Sequence, residues 1–257
     1  MEERSLRPES GRCAPSRHGV MTITDPSGTT LDVLRRTGLF EGLDEGQLAA
    51  VAALLHRRQY RRGMFVFLEG EPVDAVYFVE SGSVKASTMD AEGREHVLSV
   101  LGPGTFFPHV GFLDGGPAPA TAQALEDTTV WVMERAAFYA LLIREPQIAV
   151  QMVAVLGRHI RRLHAQLREM GMQAVPARLA RVLLRLARQL GEPVPTEGRP
   201  AAVRIRVHLS HQDLAGMAAT TRETVSRMLA VFRRAGLVRV ERGRIVIDDP
   251  AKLEEWG

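Results

Sequence analysis

A short polar segment near the end of the chain carries the side chains whose types and spacing suggest chemistry. Four apolar residues recur there at helical spacing and define one face, which we expect to be buried: Val225, Met228, Leu229 and Phe232. The opposite face presents hydrogen-bonding groups: Thr221, Arg222, Glu223, Ser226 and Arg227. Arginine pairs bidentately with guanine, and glutamate accepts from the amino group of cytosine. The pattern predicts a helix whose exposed face contacts base edges in duplex DNA.

The residues on either side of this helix predict a preceding short helix, a turn and the caps that begin and end the polar helix. Ser210-His211-Gln212-Asp213 has the form of a capping box, in which a hydroxyl caps a backbone N–H and a carboxylate reaches back. It opens a short helix over 212–217, and Ala218-Ala219 forms the turn that follows. Thr220-Thr221-Arg222-Glu223 reads as a second capping box that starts the polar helix, and Gly236 ends that helix.

A hairpin is predicted after the polar helix. Residues 237–240 and 245–247 are apolar runs on either side of 241–244, and residues 203–207 supply an earlier strand. Two short helices at a tight turn, followed by a hairpin, form a winged helix-turn-helix. The alternative is that the charged residues of the polar helix make ordinary surface ion pairs at i,i+4 spacing. The capping boxes and the hairpin favour the DNA-binding interpretation.

Charge is distributed unevenly along a chain whose net charge is only +3. Residues 31–145 carry 10 basic and 16 acidic side chains, whereas residues 171–257 carry 15 basic and 9 acidic ones. A basic segment joined to an acidic one indicates a polyanionic partner for the basic end. A solvated, arginine-rich surface is the alternative, since 31 of the 33 basic residues are arginine.

Several classes of enzyme and cofactor protein are disfavoured by what the sequence lacks. A single cysteine, Cys13, excludes a cysteine-ligated zinc site or iron–sulfur cluster. Between residues 60 and 132 only His96 and His109 offer imidazole, with no His-x-His pair for a cupin-type metal site. No phosphate-binding or nucleophile-elbow motif occurs. The sequence predicts no enzyme. A regulatory module whose basic end binds protein is the remaining rival.

The first 30 residues are polar and aperiodic, which predicts a disordered leader. They contain no apolar stretch of the kind found in a secretory signal, and no apolar run in the chain approaches the ~20 residues of a membrane span. We expect a cytoplasmic protein with no membrane partner. Met21 is a plausible alternative start.

Short alternating runs between residues 60 and 132 predict a barrel of β-strands. Residues 64–68, 76–79 and 97–101 are such runs, and glycines separate them: Gly63, Gly70, Gly82, Gly93, Gly102 and Gly104. Many short strands divided by glycine turns are typical of an antiparallel jelly roll. We therefore assign residues 31–145 to a β-barrel domain.

A long helix follows, opened by Pro146. Seven residues alternate at spacings of four and three along it: Ala149, Val153, Leu156, Ile160, Leu163, Leu167 and Met170. This is a heptad seam, which predicts that two such helices pack as a coiled coil over residues 146–170. Packing against its own barrel is the alternative. A second stripe, Ile148, Met152 and Val155, can do that while the seam dimerises.

Residues 171–257 form the predicted C-terminal domain. Pro176 starts a further helix, Gly191 stops it, and residues 192–200 read as a loop rich in proline and glycine. The predicted fold class is α+β: a barrel, a long dimerisation helix and a winged helix-turn-helix.

The run Leu209 to Ile247, centred on Arg222-Glu223-Thr224-Val225-Ser226-Arg227, resembles the recognition segment of the catabolite activator (CRP/FNR) superfamily. The resemblance extends upstream through Gly70-Glu71, Ser81-Gly82-Ser83-Val84 and Gly102-Pro103-Gly104, and covers roughly residues 32–250. It implies a cyclic-nucleotide-binding-like barrel and a homodimer acting on a palindrome. Half-sites would lie about one helical turn, ~34 Å, apart.

The resemblance also implies roles for single residues. Arg222, Glu223 and Arg227 would read bases, Ser226 would add a base or phosphate contact, and Thr221 would hold a phosphate. A half-site containing TGA is the expected core. RNA polymerase is the implied second partner, through the segment 192–199, where the family keeps an activating surface.

The sensor domain departs from the family's cyclic-AMP pocket. Where the family has a Gly-Glu pair for the ribose, this chain has Pro108-His109. Where the family has an Arg-Ser pair for the phosphate, it has Pro119-Ala120, and Leu163-His164 replaces the pair that contacts the purine. A cyclic phosphate without its arginine loses a charge-assisted bidentate contact. The sequence therefore predicts an effector other than cyclic AMP.

We predict that an unidentified small organic or apolar molecule is the effector. The predicted effector-pocket residues are Phe107, His109, Pro119, Ala120 and Leu163. Haem is an alternative, because relatives that sense haem use a histidine near this place and imidazole is a good iron ligand. A hydrogen-bonded core histidine and ligand-independent action also stay open. An effector would act by favouring one rotation of the helix pair.

Overall fold

The architecture follows the predicted order of barrel, long helix and helix-turn-helix. A computed structural model describes residues 22–23, 28–91, 93, 95–172, 174–195 and 202–256. Two β-sheets face each other in the N-terminal domain, and a third sheet lies in the C-terminal domain. The predicted fold class is confirmed.

The N-terminal domain packs a five-stranded sheet against a four-stranded one. The first has the order β1-β2-β9-β4-β7 and the second β3-β8-β5-β6. The strands are β1 (Thr22–Ile23), β2 (His56–Tyr60), β3 (Phe65–Phe67), β4 (Ala75–Ser81), β5 (Val84–Met89), β6 (Glu95–Leu101), β7 (Phe106–Phe107), β8 (Thr121–Ala124) and β9 (Thr128–Glu134). Helices α1 (Gly28–Arg36), α2 (Glu45–Ala52) and α3 (Arg135–Arg144) accompany them. Asp44 caps α2 in a reciprocal capping box with Gln47.

Strand β9 separates two hydrophobic cores because successive side chains of a strand point to opposite faces. Val130 and Val132 belong to the core between the two sheets. Trp131 and Met133 belong to a second core, which they share with the helices that cover the barrel. All four side chains are almost fully buried. The barrel is therefore packed on both faces of its larger sheet.

The long helix α4 (Pro146–Met172) lies against the second of these cores. Ile148 and Met152 are buried there, and Val155 packs against it. This agrees with the second apolar stripe. Leu156, which the sequence places in the dimer seam, also packs partly against the same core. Its position is thus shared between the barrel and the seam.

The C-terminal domain surrounds a third core with four helices and a four-stranded sheet of order β10-β11-β13-β12. The helices are α5 (Val175–Leu190), α6 (His211–Met217), α7 (Arg222–Arg234) and α8 (Pro250–Glu254). The strands are β10 (Gly191–Val194), β11 (Ala202–Ile205), β12 (Val238–Glu241) and β13 (Arg244–Ile247). Leu183, Leu214 and Phe232 are among its fully buried side chains.

Two predicted irregular segments contain strands. Thr22 and Ile23, inside the predicted leader, pair with Arg58 and Arg57 of β2, and α1 begins at Gly28. The segment predicted as a loop from Glu192 begins as β10, which pairs with β11 over four residues. Strand β1 was missed because its partner β2 is distant in sequence, and β10 was missed because its glycine and proline are typical of a loop. Residues 1–21, 24–27 and 196–201 lie outside the described residues.

The start of α7 also differs from the prediction. Thr221 is the N-cap and its hydroxyl accepts from the backbone N–H of Thr224, 3.2 Å away. The third helical residue is thus Thr224 and not Glu223, so the reciprocal contact of a capping box does not form. Glu223 remains at the exposed surface of the helix instead.

Within the residues that the structure describes, no single helix is both long and apolar enough to cross a membrane. Helices α3 and α4 reach that length and hydropathy only as a pair, and the pair is bent by 112°.

Candidate nucleic-acid interface and effector pocket

The exposed face of α7 carries the side chains predicted to contact DNA. Thr221, Arg222, Glu223, Ser226 and Arg227 are all exposed. On the opposite face, three residues are buried and Met228 packs against them: Val225, Leu229 and Phe232. Five polar side chains are therefore presented together at the first two turns of one helix. Recognition helices present this end to the major groove.

The turn between α6 and α7 is held from α5. Ala219 has a positive φ of 48°, which an L-residue adopts at a cost of about 1–2 kcal/mol. The guanidinium of Arg178 donates to the carbonyls of Ala218 and Ala219 at 2.9 and 3.0 Å. Because these contacts fix the strained turn, Arg178 orients α7 without itself lying on α7. Arg178 carries no local signal in the sequence, since its partners lie 40 and 41 positions away.

Helix α6 also contacts the outward face of α7 directly. His211 Nδ1 lies 2.6 Å from Ser226 Oγ. The side chain of His211 is half-buried, whereas Ser226 is exposed. From the sequence, His211 was predicted only as part of a capping box, because a contact across a helix-turn-helix leaves no periodic signal.

The hairpin β12–β13 forms the predicted wing. Arg242 and Gly243 both have positive φ at its tip, which is the geometry of a two-residue turn. Behind the tip, Arg204 bonds Glu192 and Glu241 at 3.0 and 2.7 Å. The hydrogen bonds from Arg204 and Arg239 lower the pKa of Glu241.

The charges at the wing tip differ from those at its base. The cations at the base are paired with carboxylates, whereas Arg242 and Arg244 at the tip are exposed. The tip is therefore the basic part of the wing.

The sensor barrel is filled by aromatic side chains where the two sheets face each other. The ring of Tyr77 stacks on that of Phe107 at 5.3 Å, and Phe67 lies 5.8 and 6.0 Å from them. Burial raises the pKa of Tyr77 to about 12, so its phenol stays neutral. Phe107, one of the predicted effector-pocket residues, is thus part of an uncharged core.

The other predicted pocket residues lie in different environments. His109 is half-buried against α4, with its ring 4.6 Å from that of Phe106 and 5.3 Å from that of His159. Ala120 is buried, Pro119 is exposed, and Leu163 is exposed on α4. A cavity of about 190 Å³ has another lining: Gly70, Pro72, Val73, Asp74, Gly115, Gly116, Pro117 and Arg135. None of the five predicted residues is in that lining.

Comparison with known proteins agrees with this geometry. Residues 57–145 match the cyclic nucleotide-binding domain, and residues 177–256 match the Crp-like helix-turn-helix domain. The "CRP-like cAMP-activated global transcriptional regulator" of Mycobacterium tuberculosis is 33% identical over 222 residues, which is 86% of this chain and 97% of that relative. The "Cyclic AMP receptor protein" of Thermus thermophilus has the same identity and coverage.

The chain belongs to the CRP/FNR superfamily of transcription regulators.

A solved structure shares the fold of this chain. FixK2 from Bradyrhizobium japonicum is 25% identical with a TM-score of 0.66, over 78% of this chain and 96% of that one. As a member of this superfamily, the protein is a DNA-binding transcription regulator and not an enzyme.

In this CRP/FNR regulator the DNA-binding domain packs directly on the sensor barrel. Helix α6 lies along β6, and Val97 and Val100 of β6 belong to the core of the C-terminal domain. A Cβ atom at Gly216 would lie 2.8 Å from the backbone nitrogen of Val97. Only glycine therefore allows α6 to approach β6 so closely.

A buried ion pair crosses the same interface. Lys85 of β5 donates to Glu95 of β6 and to Asp213 of α6, with distances of 2.9 and 3.1 Å. The side chains of Lys85 and Asp213 are only 8% and 9% exposed, so water screens their attraction weakly. Asp213 is also the capping-box residue of α6, hydrogen-bonded to Ser210. One carboxylate thus joins the cap of α6 to the barrel.

The environment of Asp213 makes its charge a stabilising element. Burial alone would raise the pKa of Asp213, but the hydrogen bonds from Ser210 and the nearby Lys85 lower it overall. A carboxyl whose pKa is lower in the folded state than in the unfolded state stabilises the folded state. This stabilisation is fully present when the pH is above the pKa of the unfolded chain, ~3.9. The stabilisation is lost as the pH falls through the folded pKa.

We predict that Asp213→Asn lowers the free energy of unfolding by about 1.5–3 kcal/mol near pH 7, because a charge-assisted hydrogen bond to Lys85 is weakened. The deficit should shrink as the pH falls below about 4 and through the lowered pKa of folded Asp213, where the wild-type carboxylate becomes protonated. Urea unfolding between pH 7 and pH 3 measures both the deficit near neutral pH and its decrease at low pH. Glu45→Gln, at a side chain that is 88% exposed, is the control and should change little. A deficit that stays constant with pH would contradict this role.

Proposed function

We propose that the protein is a homodimeric regulator that binds a palindromic operator and responds to an effector other than cyclic AMP. The observation that carries the proposal is the exposed face of α7, where two arginines, a glutamate and two hydroxyls lie together at the helix start. A single helix reads about half of a typical operator, so a two-fold pair of such helices fits a palindrome.

Arg222, Glu223 and Arg227 are the proposed base-reading residues. Their long side chains are exposed at the end of α7 that enters the major groove, where guanine and cytosine offer matching groups. Thr221, the N-cap, is the proposed phosphate contact at the edge of the groove. The exposed Arg242 and Arg244 at the wing tip are suited to the neighbouring backbone.

We predict that Arg222→Ala or Arg227→Ala weakens binding to a palindrome of TGA-containing half-sites by about 5- to 150-fold, since a bidentate base contact is worth ~1–3 kcal/mol. Binding to a scrambled duplex should change much less. Fluorescence anisotropy at fixed salt compares the two duplexes. Arg233→Ala, at an exposed arginine in the last turn of α7, is the matched control. Equal losses on both duplexes would argue against base reading.

The apolar seam of α4 supports a homodimer. Val153, Ile160 and Leu163 are 70%, 52% and 44% exposed in the single chain, and Val150 is 69% exposed beside them. These residues recur at spacings close to a heptad on the side of α4 that its barrel leaves uncovered. Leu167 and Met170, the last residues of the predicted seam, have side chains outside the described set.

We predict that Val153→Glu combined with Ile160→Glu converts the dimer to a monomer. Each chain would place two carboxylates in the apolar seam, so a dimer would contain four. Sedimentation equilibrium measures the mass, and the operator affinity should fall with it. Ile143→Glu, at an isoleucine of α3 that is 82% exposed and outside the seam, should leave the dimer intact. A dimer that survives the double change would place the interface elsewhere.

An effector other than cyclic AMP is supported by the chemistry of the barrel. The relatives from Mycobacterium tuberculosis and Thermus thermophilus are named for cyclic AMP. In this chain Pro119 and Ala120 provide no charged donor for a cyclic phosphate, and the core beside them is aromatic and neutral. Such surroundings suit a small apolar or weakly polar molecule. Haem is the less favoured alternative, because its iron would have to reach a His109 ring that is packed between Phe106 and His159.

We predict that 1 mM cyclic AMP changes neither the melting temperature nor the operator affinity. A ligand present at 100 times its Kd would add about 2.7 kcal/mol to the free energy of unfolding, which calorimetry detects easily. In the same series, protein from haem-supplied cells should show no Soret band. A thermal shift with cyclic AMP, or a Soret band lost in His109→Ala, would replace the proposed effector class.

The contact between α6 and β6 is the proposed route from effector to DNA. A ligand that fits the barrel better in one arrangement of β5 and β6 shifts the position of α6, and α6 carries α7 with it. Only a difference in affinity between two arrangements can produce this shift. We propose that the protein acts in the cytoplasm and that RNA polymerase is its second partner. The segment predicted to contact the polymerase, residues 192–199, begins in β10, and its residues 196–199 lie outside the described residues.

A further inference from the structure

The contact between His211 and Ser226 brings an imidazole to the surface proposed to read DNA. The two atoms, Nδ1 and Oγ, are 2.6 Å apart, a short distance for a hydrogen bond between nitrogen and oxygen. His211 lies on α6, outside the recognition helix, and Ser226 is exposed on α7. The ring therefore fixes the direction of a hydroxyl that faces outward.

We propose that His211 is a specificity-determining positioning residue, which decides whether Ser226 presents a hydrogen-bond acceptor or a donor to the DNA. The inference rests on the proposed function, in which α7 reads base edges. It goes beyond that function by assigning a role to a side chain of α6 that need not touch a base.

The chemistry follows from the single proton of a hydroxyl group. Serine has one O–H donor and two acceptor lone pairs. When Nδ1 of His211 carries no proton, it accepts the Ser226 proton, and Ser226 then offers only lone pairs outward. When Nδ1 carries a proton, the ring donates to Ser226, and the hydroxyl proton is free to point at the DNA. The presence or absence of a proton on Nδ1 of His211 thus decides whether the Ser226 hydroxyl offers the DNA a donor or an acceptor.

The two polarities select different bases. In the major groove, adenine N6 and cytosine N4 are donors, whereas guanine O6 and N7 and thymine O4 are acceptors. With the ring proton on Nε2, Nδ1 accepts from Ser226, and Ser226 then acts as an acceptor toward the DNA. The predicted preference at the base facing Ser226 is accordingly for an amino group, on adenine or cytosine.

The contact is not needed to hold the two helices together. Leu214 of α6 and Val225 and Leu229 of α7 are buried in one core. Arg178 separately fixes the turn between the helices. Loss of the imidazole should therefore change the hydrogen-bonding of Ser226 while leaving the position of α7 intact.

The test measures base preference rather than affinity alone. Wild type and five variants are used to select binding sites from a palindrome randomised at every position: His211→Ala, His211→Asn, His211→Gln, Ser226→Ala and the double alanine variant. Asparagine keeps a polar atom at the place of Nδ1, whereas glutamine puts it one bond further out. Thermal unfolding of each variant checks that the fold is retained.

We expect Ser226→Ala to lower the preference at one base position of each half-site by about five- to tenfold, the value of one hydrogen bond. His211→Ala and His211→Gln should lower it at the same position, and the double variant should lose no more than either single variant. His211→Asn should restore the preference, because its amide oxygen can accept from Ser226.

Three results would overturn the inference. A uniform loss of affinity in His211→Ala, with base preference unchanged, would make His211 a structural or phosphate-binding residue. Additive losses in the double variant would mean that the two side chains act separately. A preference for guanine or thymine at the affected position would reverse the assigned polarity. If wild type selects no sequence at all, the proposed function fails, and the failure is visible before any His211 variant is compared.

Discussion

The packing of α6 is the constraint on which both domains depend. This helix of seven residues packs against α5 and α7 within its own domain, and it lies along β6 of the sensor barrel. Its small residues make this possible, since Ala215 is buried and Gly216 allows backbone to meet backbone. A short helix with neighbours on several sides has little freedom to move alone. Any displacement of β6 therefore displaces the recognition helix or breaks the interface.

The charge of Lys85 gives this interface its specificity. Apolar contacts from Val97 and Val100 provide attraction without direction, whereas a buried ammonium is stable only where carboxylates meet it. Asp213 and Glu95 come from different domains, and both contact the same nitrogen. A sliding motion of α6 along β6 would leave a buried charge unpaired. The ion pair thus favours docked or separated positions of α6 over intermediate ones.

Much of the DNA-binding domain could be predicted from the sequence because its signals are local. The cap at Ser210, the apolar face of α7 and the turn at Gly243 each depend on residues a few positions apart. The interface between domains depends on Lys85 and Asp213, which are 128 positions apart. Strand β1, which has two residues, exists only through pairing with the distant strand β2. No periodic pattern carries such information, so these features emerged only from the structure.

The predicted effector pocket shows the same limit in another form. Resemblance identified the positions where the family holds a nucleotide, and Pro119 and Ala120 at those positions carry no charged side chain. It did not indicate what fills the space. Tyr77, Phe107 and Phe67 pack together between the sheets, and His109 packs on His159 of α4.

These two packing arrangements differ in what they can transmit. The aromatic core joins one sheet to the other, so a ligand that entered it would alter the shape of the barrel. The pair of imidazoles joins the barrel to the long helix, so a ligand that separated them would act on α4. The first route leads to α6 through β5 and β6, and the second leads to the long helix. An effector placed between Phe107, at the end of β7, and His109, two residues later, would act on both.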